Sequence, residues 1–290
     1  MLSTREIKQR IRSITSIKQI TRAMEMVAAS RLKKVETRVV ASRAYTDKML
    51  QIYSHLASSR PSETEISSHK GNEQEKSVIK ILLITADKGL CGAYNNNVVQ
   101  KLVKFIHGQT NKKSKILLLG KKGNQYFSKR SNVYEVEKYF PQSVENFGYD
   151  QVRNLASQVI SEYQDGKIGE FYVFFTKFHT VMQSFPESIR LLPIDESAFD
   201  SQGKVAGEYI FEPSAEQILN HLFPKYVETQ LYQCILESLT SEYAARRVAM
   251  IAATENAGEM IDELTSAYNK ARQEAITKEL LEVVSGAEAL

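Results

Sequence analysis

Tryptophan is absent from this 290-residue sequence, proline occurs six times and cysteine twice. Cys91 and Cys234 stand far apart in unlike surroundings, which excludes a disulfide framework and a four-cysteine metal site and leaves two reduced, buried thiols as the expectation. The five histidines (His55, His69, His107, His179 and His221) are scattered, with no HExxH run, no nucleophile elbow and no cysteine beside a motif-like histidine. A catalytic constellation is therefore not expected. No stretch approaches the roughly 20 apolar residues of a membrane-spanning helix. The start Met-Leu-Ser-Thr-Arg carries neither an apolar core nor a cleavage site of the secretory kind. A cytosol-like compartment is expected, with any membrane association made through a partner.

Enough remains to build with. A hydrophobic content of 42% supports a real core, and the length allows two ordinary domains. Net charge is only +4, but its distribution is uneven. Residues 1–44 hold eleven Lys or Arg against Glu6, Glu25 and Glu36, whereas residues 254–290 hold eight acidic residues against Lys270, Arg272 and Lys278. Ends of opposite sign suit pairing with each other and with charged partners.

Ser3 and Glu6 form a capping box, so a helix is expected from about Thr4. Ile7, Ile11, Ile14, Ile17, Ile20, Met24, Val27, Leu32, Val35 and Val39 then recur every three to five residues, and the pattern continues to Leu56 before Pro61 stops it. Such a helix spans roughly 80 Å and needs a partner of similar length. The other end of the chain supplies one. Pro224 is placed to open a helix and Gly286 to close it. Met250, Ala257, Leu264 and Ala271 repeat every seven residues, as do Ala253, Met260 and Ala267, which makes them candidate seam positions. The two ends are expected to pair as an antiparallel two-helix coiled coil covering 1–60 and 213–290, interrupted by a polar linker at 61–76 and a domain at 77–212.

That insert reads as a Rossmann-like α/β domain. Apolar runs at 78–85, 115–119 and 170–175 suit strands covered on both faces, with helices at about 95–107, 120–129 and 152–163 and a returning strand at 183–194. Alternation of this kind implies a mostly parallel sheet.

The stretch Thr85-Ala86-Asp87-Lys88-Gly89-Leu90-Cys91-Gly92 lies between a strand and a helix, where a glycine loop could cradle phosphate. It matches neither a P-loop nor a dinucleotide fingerprint, so a structural turn is the better reading; Gly120-Lys121-Lys122-Gly123 is weaker still. The basic first helix could lie along nucleic acid or act as a scaffold, but aromatics for base stacking are missing until Tyr45, and a solvated face that meets acidic protein fits better.

Four sets of residues carry a family resemblance. Ile20-Thr21-Arg22-Ala23-Met24-Glu25-Met26-Val27-Ala28-Ala29-Ser30 and Tyr268-Asn269-Lys270-Ala271-Arg272-Gln273-Glu274-Ala275-Ile276-Thr277-Lys278-Glu279-Leu280 stand near the two ends, and Asp87–Gly92 and 241–246 lie between them. In family order and over essentially the whole chain, they resemble the γ subunit of F-type ATP synthases, of the bacterial type. The resemblance implies a non-catalytic central rotor shaft that needs no cofactor. Its partners would be the α and β subunits of the F1 hexamer, the ε subunit and the c-subunit ring of Fo. It would stand at the cytoplasmic face of the bacterial inner membrane. By the same resemblance, Arg22, Met24, Arg246, Arg272, Gln273 and Thr277 contact the catalytic subunits, and Tyr209, Phe211 and Glu212 contact the ring or ε. Arg247 follows Arg246 where relatives often have methionine, which leaves open which arginine faces the partner.

Overall fold

The computed structural model describes residues 3–58, 78–109, 112–194 and 215–288. The linker at 61–76 and Tyr209, Phe211 and Glu212 lie outside the described residues. Helix α1 (Thr4–Ser58) opens on the expected box, with the Ser3 amide 2.9 Å from Glu6 Oε2 and the Glu6 amide 3.3 Å from Ser3 Oγ. These bonds from Ser3 hold the Glu6 carboxyl below the usual range. No Gly or Pro interrupts α1, which accounts for its length.

The insert runs β1 (Val78–Ile84), α2 (Tyr94–Gly108), β2 (Lys113–Leu119), α3 (Lys121–Ser128), β3 (Glu135–Phe140), α4 (Tyr149–Gln164), β4 (Glu170–Phe178) and β5 (Ser184–Leu192). The sheet order is β3-β2-β1-β4-β5, parallel except for β5. Alternate residues of β1 face opposite layers. Ile79, Ile81 and Leu83 pack with Val98 and Leu102 of α2 and Phe127 of α3. Leu82 and Ile84 belong to a larger core with Val152 and Leu155 of α4, Leu32 and Val35 of α1, and Leu231 and Ile235 of the last helix.

Strand β3 was not expected, because its Glu-Val-Glu-Lys pattern reads as polar; it is an edge strand, half exposed, and needs no continuous apolar run. Pro186 is accommodated in β5 because β5 is the opposite edge. The last helix, α5 (Ala215–Glu288), corrects both expected boundaries: it starts before Pro224 and continues past Gly286 to Glu288. Pro224 offers no amide to the carbonyl of Asn220, but Asn220 is exposed, so water can take the place of the missing bond.

The chain divides into two compact units, Met1–Ser30 with Arg246–Leu290, and Arg31–Ala245. In the first, Thr254 Oγ1 donates to Thr21 Oγ1 at 2.8 Å, and a Cβ at Gly258 would lie 3.0 Å from Lys18 Nζ. A step back along α1 is a step forward along α5, so the terminal helices pair antiparallel as expected.

Their seam departs from the expected one. On α1 the covered positions include Ile7, Ile11, Ile14, Lys18, Thr21, Glu25 and Ala28, in alternating steps of four and three, with Met24 half-buried beside them. On α5 they include Met250, Thr254, Ala257, Ile261, Leu264, Tyr268 and Ala271, in the same rhythm. Met260 and Ala267, expected on the seam, are exposed, as are Ile17, Ile20 and Val27. The physical reason is angular. Two helices stay in contact only along a seven-residue repeat, whereas the three-residue steps Ile11-Ile14-Ile17-Ile20 each fall about 60° short of a full turn and carry the apolar ridge away from the seam.

In the second unit the same two helices are fixed by charge. Arg43 meets Glu237 through Nε to Oε1 at 2.7 Å and Nη2 to Oε2 at 2.8 Å, and its Nη2 also donates to the Phe178 carbonyl at 2.7 Å. Glu237 in turn accepts from the Phe178 amide at 3.0 Å, so one buried carboxylate joins α1, β4 and α5.

Candidate coupling surfaces

The glycine loop after β1 is a turn built to hold itself. The Asp87 carboxylate accepts from the Lys121 amide at 3.1 Å and from the Val144 amide at 3.0 Å, Ala86 O accepts from the Lys122 amide at 3.0 Å, and Thr85 Oγ1 accepts from the Gly123 amide at 2.8 Å. The amides at the start of α3, which the Gly120–Gly123 turn could have offered to a phosphate, are taken by the chain's own acceptors. The crevice between the strand ends of β1 and β4, where open sheets of this order bind ligands, is also filled. Tyr94 Oη lies 2.8 Å from Ser238 Oγ and donates to Ser238 O at 3.0 Å; Ser238 Oγ accepts from the Thr176 amide at 3.3 Å, and Ser241 Oγ donates to Thr176 O at 3.1 Å. Helix α5 thus occupies the place of a small-molecule ligand. Among the described residues no cluster of His, Cys, Asp and Glu could hold a metal ion.

The surfaces left for chemistry with partners lie on the terminal unit. Arg22 is exposed and Met24 half-buried. Arg272, Gln273 and Thr277 are exposed on the last turns of α5, with Thr277 Oγ1 donating to Gln273 O at 2.9 Å. Arg246 is buried, whereas Arg247 keeps more surface but has its Nε buried without a partner. Of the six expected residues, Arg22, Arg272, Gln273 and Thr277 are exposed, Met24 is half-buried and Arg246 is buried.

Sequence reading missed the apolar part of these surfaces. Ile17, Ile20 and Val27 are 49%, 59% and 55% exposed, and polar Lys18, Thr21 and Glu25 take the seam beside them. Every residue from Arg272 to Ser285 is exposed, including Ile276, Leu280, Leu281, Val283 and Val284. The pairing that puts Thr21 opposite Thr254 puts Thr4 opposite Ala271, so α5 runs on past the first turn of α1. The signal was present in the departure of the apolar residues from a seven-residue repeat.

Electrostatics in the second unit are structural. Arg31 Nη1 lies 2.6 Å from Glu145 Oε2 and donates to Tyr243 Oη at 3.3 Å. Burial pushes the Tyr243 hydroxyl up to about 12. Tyr149 is also pushed up to about 12, by burial and by its 2.8 Å bond to Glu228 Oε2.

Comparison with known proteins matches this arrangement over its whole length. The family model described as ATP synthase matches residues 3–290. The ATP synthase gamma chain of Desulfitobacterium hafniense is 38% identical over 290 residues and that of Heliobacterium modesticaldum 37% identical over 296, each covering all of both chains. Among solved structures, a chain of the Euglena gracilis mitochondrial ATP synthase (OSCP/F1/c-ring) superposes with a TM-score of 0.65 at 19% identity, covering 99% of this chain and 94% of that one. A chain of the Tetrahymena thermophila mitochondrial central stalk and c-ring gives 0.57 at 24% identity, covering 81% and 99%. A family model matched from residue 3 to the end, with full-length relatives at 37% and 38% identity, shows that this chain belongs to the ATP synthase gamma chain family.

Proposed function

We propose that this chain is the central rotor shaft of a proton-translocating F-type ATP synthase, a non-catalytic subunit that carries rotation of the membrane ring to the catalytic subunits. The α and β subunits of F1, the ε subunit and the c-ring are its partners, and it works at the cytoplasmic face of the bacterial inner membrane. No described helix is long and apolar enough to cross a membrane, in keeping with attachment through those partners. The chain is proposed to act as a terminal coiled coil, 1–60 with 213–290, carrying the inserted domain 77–212.

One observation carries this reading: the terminal helices leave large apolar side chains exposed that their own pairing does not cover. Ile17, Ile20 and Val27 on α1, and Ile276 to Val284 on α5, present more apolar surface than an isolated rod of two helices would keep in water. Such a rod is made to be enclosed by other protein. Arg22, Met24, Arg246, Arg272, Gln273 and Thr277 are proposed as its contacts with the catalytic subunits, and Tyr209, Phe211 and Glu212 as contacts with the ring or ε. Because the basic start of α1 and the acidic end of α5 lie side by side, the rod differs in charge from face to face, so rotation presents a different surface to each catalytic site in turn and shifts its conformational equilibrium by differential contact.

Affinity purification through a tag on this chain tests the proposal. Recovery of a complex with ATPase activity, together with no hydrolysis by the chain alone, is expected. Recovery of the chain without catalytic subunits, or with nucleic acid in a salt-dependent complex, would overturn it.

A further inference from the structure

Arg246 and Arg247 are neighbours on α5 with unlike surroundings. Arg246 is 7% exposed and already engaged within the chain. Arg247 is half-buried and makes no ion pair or hydrogen bond among the described residues. Its Nε is buried without a partner, whereas Nη1 and Nη2 keep contact with solvent. Helix geometry accounts for the difference. Arg247, Thr254, Ile261 and Tyr268 stand seven residues apart, so Arg247 continues the covered ridge of α5 by one heptad, and Arg246 lies about 100° away round the helix. The pairing that sets Thr21 opposite Thr254 sets Ala28 opposite Arg247. Ala28 is small and 1% exposed, which leaves room along the seam for the methylene stem of the arginine while its charged end stays wet.

A guanidinium held in this way does little for the chain and suits a partner. The buried Nε costs free energy because nothing accepts its proton, and no carboxylate among the described residues offsets the charge. The stretch where residues 18–28 face 247–257 holds Lys18, Arg22 and Arg247 against Glu25 and Glu255, and none of the five is ion-paired among the described residues. An acidic group is therefore favoured over a basic one. Packing of the stem already restricts its rotamers, so engagement loses little side-chain entropy. Two open Nη groups in one plane match the two oxygens of a carboxylate, which they can hold through parallel charge-assisted bonds.

We infer that Arg247 is a further contact with the catalytic subunits, docking a carboxylate that one of them presents. The inference deepens the rotor reading and rests on it.

The experiment uses the complex assembled with the full chain. Arg247→Lys keeps the charge and supplies an amine, which a carbodiimide joins to a carboxylate in contact with it. Cross-linked peptides joining residue 247 to an Asp or Glu of a catalytic subunit are expected from the complex and not from the isolated chain. Arg247→Met fills the place of the stem with an unbranched apolar chain and removes the unpartnered Nε. Its melting temperature as an isolated chain should be unchanged or higher, while coupled ATP synthesis by its complex should fall about tenfold, the scale of one charge-assisted bond. The absence of any cross-link from residue 247 to a catalytic subunit, or parental coupled synthesis in Arg247→Met, would overturn the inference. A lowered melting temperature in Arg247→Met would give the side chain a structural role and overturn it too. Each of these results leaves the rotor reading standing, whereas a parent chain that recovers no catalytic subunits would sink both.

Discussion

Glu137 reaches Lys80 at 2.7 Å because β3 bulges. The register between β2 and β3 runs from Ile116 opposite Val136 to Leu117 opposite Lys138, so Glu137 has no partner across the ladder and its carboxylate turns toward the lysine. Lys80 is 1% exposed and also pairs with Glu162 of α4, which Gln158 supports from one turn away. Changing Lys80 to Met leaves two carboxylates facing each other without a cation and should cost about 3 kcal/mol in urea unfolding of the full chain. Adding Glu137→Gln and Glu162→Gln should restore most of it. An unchanged midpoint in Lys80→Met would show that the pair contributes nothing.

Acid should act through the same group. Burial raises the Glu162 carboxyl, but the hydrogen bonds from Lys80 and Gln158 outweigh burial and leave it below its ordinary value. A depressed folded-state value means that its stabilising contribution is complete above the ordinary carboxylate range and fades as pH falls through the lowered one. The acid slope of melting temperature should therefore flatten in Glu162→Gln; an identical slope would contradict the assignment.

Alkali should act through two tyrosines. Tyr149 and Tyr243 are raised from 10.0 to about 12, so each folded hydroxyl keeps its proton where the unfolded chain loses it. Their contribution is complete below pH 10 and declines as pH rises toward 12. Tyr149→Phe should unfold less steeply over that interval than the parent chain, as followed by circular dichroism.

Gly120 and Gly92 predict unequal costs for the same change. Both have positive φ, +104° and +56°, but a Cβ at Gly120 would lie 2.0 Å from Thr85 O, whereas at Gly92 nothing lies within 4 Å. Gly92→Ala should cost about 1 kcal/mol, the ordinary penalty of a left-handed residue, and Gly120→Ala several times more, because the turn from β2 to α3 must move away from the Thr85 carbonyl that follows β1. Equal losses in thermal unfolding would refute this.

Ile20→Gln and Arg272→Glu should change partnership without changing the fold. Both side chains are exposed, so melting of the chain should move by less than about 0.5 kcal/mol, while recovery of the assembled complex and its coupled ATP synthesis should fall. Thr21→Val with Thr254→Val replaces a hydroxyl pair on the seam by an apolar one and should leave the terminal helices at least as stable as before. Normal coupled synthesis in the Arg272→Glu complex would remove that residue from the proposed contacts.

Much of the architecture was legible in the residues. The Ser3–Glu6 box, the absence of Gly and Pro through α1 and the apolar run of β1 each act within a few residues of themselves, so local chemistry was enough to find them. The family resemblance also rested on short contiguous segments at the two ends. What sequence alone could not decide was which face of each rod turns inward. Apolar residues at Ile17, Ile20 and Val27 looked like core, and only pairing with α5 put Lys18, Thr21 and Glu25 there instead. Likewise, β3 exists because β2 offers it an edge, and Pro224 stays within a helix because its neighbours on α5 are packed against the sheet. A helix or strand can be specified by its own residues, but a seam, an edge or a filled crevice is a relation between segments far apart in sequence, settled by how they fit together.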